Sequence, residues 1–443
     1  MDLLKDNIRS LYFKFLIPSL GSAMVMSIYT LTDAVVIGKG VGADALAALS
    51  ITTPLLCILM ATGILFGVGG SVQMNVHRGA GEEKKANQYF TLSLICMIAF
   101  TALLWIVYAT AMGPLLRLMG ANDTLFPYAM AYMKKINMFL PAAVFSNFIA
   151  IFIRADHDPN RAMAGVICGG ILNIILDIVF VFPLQMGIAG AAFASALGML
   201  LQVLVGGSHF FSKKNEMKFV MPGHIFKGIG VIVANGIPSF FNEFANGFIV
   251  LLFNVQILKY CGASALSVYS VVSNCVILFN SLFTGVGQAI HPVVSTNFGA
   301  GNMERIRAVK KMSFITIVIL GVVFSLSGIL FPELVCGIFL KPEGEILALA
   351  RVGIRHYFWA FLPMALNVLT GYYLQSILQA KRSLCISLLR NIVLSTIFIL
   401  GFPIWFAPES LWWVMPVVEV LVLMLSIFWV REKAVPKKNE CQK

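Results

Sequence analysis

The chain has 443 residues, 59% of them hydrophobic and only 12% charged, with a formal net charge of +12. Soluble domains carry roughly 25% charged residues, so a soluble globular protein is excluded and an integral membrane protein is expected. The positive balance would suit nucleic acid, but the cations are spread over many short loops between apolar segments, which excludes that partner.

Twelve apolar segments follow in order: 12–38, 46–76, 88–112, 126–153, 162–183, 187–211, 226–258, 264–291, 311–331, 346–378, 384–405 and 411–430. Each reaches the roughly 20 residues that a helical span needs. An even count puts both termini on one side. The first segment is long and lacks a small-x-small exit site, so no cleavable leader is expected. Loops on the terminal side hold 24 of the 32 Lys and Arg residues, among them Lys213, Lys214, Arg305 and Lys381. The opposite side holds the rest, including Lys39, Lys259 and Lys341. The positive-inside rule therefore places both termini in the cytoplasm. The eight cysteines form no CxxC or Cys/His pattern, and neither disulfides nor a metal cluster is expected from them.

The first segment contains Asp33. A carboxylate at membrane depth is costly, from about 2.5 to over 10 kcal/mol by different estimates, and it usually faces a wet cavity. Tyr29, Met26, Ser22 and Ser19 precede it at helical spacing, forming a stripe of small, polar and soft groups. Pro18 near the start can kink or loosen the helix. A plainer alternative has Asp33 pairing with a neighbouring helix for packing alone.

In segment five Asn173 and Asp177 stand four apart on one helix face, with Gly169 and Gly170 a turn earlier for close packing. Asp33 and Asp177 could share a proton, because two like charges close together resist joint ionisation. They could instead offer hard oxygens to Na⁺, with Asn173 adding a neutral one. An Asn/Asp pair bonding across helices only for packing is the third reading. Ser195, mid-way along segment six, means little by itself.

The segment 213–225 is a long connection on the terminal side and falls mid-chain, so it reads as a linker between lobes 1–220 and 221–443. A shift of 220 residues aligns Ile17–Gly81 with Ile237–Gly301 without a gap. Pro18 falls on Pro238, Gly42 on Gly262, and Gly79-Ala80-Gly81 on Gly299-Ala300-Gly301. A repeat offset by six spans is parallel, which relates the lobes by an axis along the membrane normal. The expected fold is all-α: twelve transmembrane helices in two pseudo-symmetric six-helix lobes around a cavity.

Segment seven carries Asn235, Asn242, Glu243, Asn246 and Asn254 after Pro238, and segment eight carries Ser267, Asn274, Ser281 and Gln288 at seven-residue intervals. Lipid-facing helices would not tolerate such stripes. Tyr29, Met26, Asn242, Glu243, Asn246 and Asn274 are the candidate cavity residues. Glu419, after Trp412-Trp413 and Pro416, reads as interfacial, and His291 and Arg390 as near the cytoplasmic boundary.

On these residues the chain resembles the multidrug and toxic compound extrusion (MATE) transporters over nearly its whole length. Pro18 with Asp33 fifteen residues on, the repeated Gly-Ala-Gly turn, and Asn173 with Asp177 carry the resemblance. Ser195 stands where the family commonly has threonine. The resemblance implies that Asp33, Asn173, Asp177 and Ser195 form a site in the first lobe for Na⁺ or H⁺. A NorM-type branch uses an aspartate in the tenth helix. Here that region offers only Asn367, and Glu243 lies nearer its proline than in that branch, so coupling is expected in the first lobe.

The expected function is antiport, exporting organic, cationic or amphipathic compounds in exchange for H⁺ or Na⁺. Its expected setting is the plasma membrane of a prokaryote, as a monomer, with drug-like substrates and no cofactor beyond the coupling ion. A lipid-linked oligosaccharide flippase of the same superfamily is the nearest alternative, but it would want a strongly basic cavity. An intramembrane enzyme would need motifs such as HExxH or GxSxG, which are absent. A channel fits a two-lobe repeat less well than alternating access does.

Overall fold

The computed structural model describes residues 2–339 and 344–431. Lys341 and the basic tail beyond Arg431 lie outside them. Among the described residues all regular structure is helical. In chain order the helices are α1 (Ile8–Gly40), α2 (Ala43–Gly79), α3 (Glu83–Leu118), α4 (Phe126–Met138), α5 (Leu140–Ala155), α6 (Pro159–Val181), α7 (Gly187–Gly207) and α8 (Ile225–Gly299). There follow α9 (Met303–Leu330), α10 (Pro332–Phe339), α11 (Gly344–Tyr357), α12 (Phe361–Ser376), α13 (Ala380–Leu388), α14 (Leu394–Trp405) and α15 (Val414–Arg431).

Nine helical stretches among the described residues are individually long and apolar enough to cross a membrane, and the bent pair α4–α5 adds a tenth. The pair is one span broken by 60°. Its break falls at Phe139, just before Pro141, whose missing N–H and ring oppose an uninterrupted helix. The sequence suggested an unbroken segment there. A straight α8 of 75 residues would be roughly 110 Å long, several times the bilayer core. It turns instead at Gly262, with φ +85° and ψ −179°. That backbone region is essentially reserved for glycine. Gly42, between α1 and α2, has nearly the same conformation at φ +119° and ψ −178°. The repeat read from the sequence thus extends to the turn geometry. With α8 counted as two spans and α11–α12 as one, the chain is a multi-pass membrane protein of twelve helices in two six-helix lobes.

The lobes meet tightly at the end that carries the basic loops. A Cβ on Gly79 of α2 would fall into the Thr296 carbonyl of α8, and one on Gly299 of α8 into the Val76 carbonyl of α2. These two contacts exchange under the 220-residue repeat. Gly285 of α8 packs in the same way on α1, where a Cβ would lie 3.2 Å from the Ser19 carbonyl. Only glycine lets backbones approach this closely, and small residues drive helix association in membranes.

Two straps cross between the lobes at the same end. The Leu3 carbonyl accepts from Asn297 Nδ2 (3.1 Å) and Arg305 Nη2 (3.0 Å), and the Asp6 carbonyl accepts from Arg305 (2.8 Å). This fixes the segment before α1 onto the second lobe. The segment before α8 lies along the first: Lys218 N donates to Asn87 Oδ1 (2.8 Å), Val220 N to Thr91 Oγ1 (3.0 Å) and Glu216 N to Asp156 Oδ2 (3.0 Å). Asp156 is itself fully buried, held by Arg78 Nη1 at 2.9 Å and His209 Nε2 at 2.8 Å.

Candidate functional site

The first-lobe site is assembled by glycine contacts. A Cβ on Gly169 of α6 would lie 2.5 Å from the Gly198 carbonyl of α7, and one on Gly198 would lie 2.7 Å from the Gly169 carbonyl. The backbones of α6 and α7 therefore touch, which sets Asn173 beside Ser195: Asn173 Nδ2 donates to Ser195 Oγ at 3.1 Å. One residue on, Gly170 packs under the Tyr29 ring, with 3.2 Å from an added Cβ to Tyr29 Cδ1. That contact brings α1 onto α6 and places Asp33 against Asp177.

The two carboxyls lie within hydrogen-bonding reach of each other, and Asn173 stands beside Asp177 without donating to it. Asp177 is fully buried and Asp33 nearly so. Four buried oxygens have no donor: Asp33 Oδ1, both Oδ atoms of Asp177, and Asn173 Oδ1. Buried polar atoms without partners are rare and require an explanation. A group of hard oxygens around two acids fits a proton shared between the carboxyls or a Na⁺ ligated by them. All four residues the sequence brought forward for this site are thus brought together.

The sequence reading missed Tyr132. It comes from α4, is buried, and lies near Ser195 and within electrostatic reach of Asp33 and Asp177. A tyrosine in an apolar span usually finds a partner for its hydroxyl, and this was the available signal.

The candidate cavity residues fare unequally. Glu243 is half-buried and within electrostatic reach of Tyr29 on α1, Cys57 on α2 and Tyr372 on α12, so it faces the space between the lobes. Tyr29, half-buried, lies within electrostatic reach of both Glu243 and Asp33. Met26 and Asn274 are also half-buried. Asn242 is engaged within the second lobe, where its Oδ1 accepts from Asn391 Nδ2 at 2.5 Å. The side chain of Asn246 lies outside the described residues. Ser267 and Ser281 bond back to their own helix (3.1 and 2.7 Å), and Gln288 turns to the other lobe.

Two expectations for the second lobe are corrected. Glu419 is not interfacial and Arg390 does not sit at the boundary. Both are buried, and Arg390 Nε donates to Glu419 Oε1 at 2.6 Å. Asn367 Nδ2 donates to Glu419 Oε2 at 2.8 Å, and Ser426 Oγ donates to Asn367 Oδ1 at 3.1 Å. A π-helical turn over Leu389–Val393 carries Arg390. Such a turn shifts the helical register and often aims a side chain inward. Glu419 is thus already neutralised by an arginine, whereas Asp33 and Asp177 of the first lobe face only each other.

The chain matches the MatE family model over residues 18–179 and 238–400, stretches that begin 220 residues apart. It is 23% identical over 436 residues to the multidrug export protein MepA of Staphylococcus saprophyticus, covering 96% of this chain and 95% of that protein. The MepA of Staphylococcus aureus strain MSSA476 is 23% identical over 434 residues, with the same coverage of 96% and 95%. Among solved structures, one of an outward-facing multidrug resistance MATE family transporter of the MOP superfamily aligns with TM-score 0.87 and 22% identity, covering 97% of this chain and 96% of that one. A MATE structure in complex with MaD3S aligns with TM-score 0.87 and 21% identity, over 97% and 96% of the two chains.

Proposed function

The chain belongs to the MatE family, and from that we propose that it is a secondary active antiporter, not an enzyme, exporting organic, cationic or amphipathic compounds in exchange for H⁺ or Na⁺. The observation that carries this reading is the meeting of Asp33 and Asp177 in a buried pocket whose oxygens lack donors. The multidrug export for which the staphylococcal relatives are named supports the substrate class. The acidic Glu243 on the inter-lobe space favours cations over the anionic headgroup of a flippase substrate.

In this reading lobes 1–220 and 221–443 rock about the cavity, and both termini are in the cytoplasm of a prokaryotic plasma membrane. The basic end, closed by Gly79 and Gly299, is then the cytoplasmic side, and the cavity opens outward. A cation entering from outside is held by the carboxyls of Asp33 and Asp177, with Asn173 and Ser195 completing the pocket. Its arrival changes the charge beside Tyr29 and biases the bend of α1 near Pro18, which displaces substrate. Coupling requires the cation to bind the two conformations unequally. The protein works as a monomer in the bilayer, with the coupling ion as its only non-substrate ligand.

Efflux of a cationic dye from proteoliposomes, measured under separate Na⁺ and H⁺ gradients, tests the proposal. One gradient should drive export. If folded protein exports no cationic compound under either, the reading fails. Impermeant labelling of cysteines at Lys213 and Arg305 in intact cells tests orientation, and labelling at either position from outside would reverse it.

A further inference from the structure

Arg154, in the last turn of α5, is 5% exposed yet makes no ion pair among the described residues. Its Nη1 donates to Gln288 Oε1 at 2.7 Å, and its Nε has no acceptor. Removing a guanidinium from water is penalised far more than one bond to a neutral amide returns. A buried cation normally has a carboxylate; this one does not.

Beside it is a partly open cavity of about 20 Å³. Its polar lining is Ser71 and Arg154 from the first lobe and Gln288, His291 and Tyr372 from the second. His291 is 6% exposed and its Nε2 also lacks a partner. The lining is rich in N–H and O–H groups and contains no acid. A cavity of about 10–15 Å³ on this measure holds one water-sized particle, so this one has room for a single small ion.

We propose that this cavity binds one small monovalent anion, with chloride as the match in size and charge, and that the bound anion neutralises Arg154. Both lobes contribute to the site, so it exists only while they are closed at the basic end. An anion that binds one state alone shifts the equilibrium toward that state in proportion to its affinity. Chloride would therefore stabilise the form closed at the basic end. This is separate from the cation site at Asp33 and Asp177, and it stands whether or not the protein exports drugs.

The test uses the full chain in detergent or nanodiscs, comparing potassium chloride with potassium gluconate at equal ionic strength. Chloride should raise the wild-type unfolding midpoint saturably, by about 2–4 °C. Arg154→Gln should lose that rise. Should it fail to fold, Gln288→Glu carries the test: its carboxylate supplies the missing negative charge, so the variant should be as stable in gluconate as the wild type is in chloride. Crystals grown in bromide should show an anomalous peak between Arg154 and His291. A wild-type midpoint identical in both salts, a chloride effect that persists in Gln288→Glu, or a cavity without bromide would each overturn the proposal.

Discussion

Asp33 on α1 and Asp177 on α6 present their carboxyls to each other within hydrogen-bonding reach, in a pocket walled by Tyr29, Tyr132, Asn173 and Ser195. Two acids so placed do not both stay ionised unless a cation joins them. Asp33→Asn should bring gradient-driven export to background while the protein still folds and inserts, because the change removes a charge without changing shape. Asp177→Asn should do nearly the same. Export by both variants at wild-type rates, measured in proteoliposomes, would remove the pair from the coupling step.

Neutral groups around the pair should matter less. Ser195 accepts from Asn173 and lies near Tyr132, so Ser195→Ala removes one neutral oxygen and leaves the Asn173 amide unpaired. A single hydrogen bond contributes about 0.5–1.5 kcal/mol, so cation affinity should fall by about 2–10-fold in Ser195→Ala and in Tyr132→Phe. The half-saturating Na⁺ concentration or the external pH dependence of transport reads this directly. A loss as large as that of Asp33→Asn would mean that the hydroxyls are ligands of equal weight.

Glu243 faces the inter-lobe space near Tyr29 and Tyr372 and makes no ion pair among the described residues. Glu243→Gln should weaken export of cationic compounds and spare neutral ones, because only the cations lose an electrostatic attraction. Equal efflux of a cationic and a neutral substrate before and after the change would make Glu243 a packing residue.

The crossing of α2 and α8 sets a steric condition on closure. A Cβ at Gly79 or Gly299 would enter a backbone carbonyl that cannot rotate away. Gly79→Ala and Gly299→Ala should each disfavour the closed basic end by about 1–3 kcal/mol, the range for overpacking. Thr296 is 4% exposed there, so a cysteine at that position should react faster in the alanine variants than in the parent. Unchanged labelling would show that the lobes close by another route.

Outside the spans, Asp156 gives a pH prediction. Burial alone would push its carboxyl up, but the His209 ring, the Arg78 guanidinium and the Glu216 amide outweigh burial and hold it below the ordinary carboxylate range. The Glu216 carboxyl is lowered as well, chiefly by its contact with His157. A carboxyl lowered on folding contributes stability above its unfolded value, and loses it as pH falls through the lowered folded value. The unfolding midpoint should therefore stay level down to about pH 4 and drop below it. Asp156→Asn should start lower and show a shallower acid limb. Parallel acid limbs for the two proteins would exclude Asp156 as the group responsible.

Span number, the parallel repeat and the acids sunk in apolar stretches were all determined by the sequence alone. Hydropathy accumulates along a segment whatever it later touches, and Gly42 with Gly262 marks a turn that no other residue type makes readily. The pairing of Asp33 with Asp177 was legible as a possibility, because glycines a turn away announced a close helix contact. Partners were not. Nothing local distinguishes the buried Arg390, which meets Glu419, from the buried Arg154, which meets no acid among the described residues. Tyr132 gave no sign that it would reach Ser195, and Asn242 none that it would turn to Asn391. Those outcomes depend on how far each helix is rotated and tilted, and each successive residue turns about 100° around its axis. Tertiary packing sets that rotation through backbone contacts between helices far apart in the chain, so only the folded structure decides which polar groups meet.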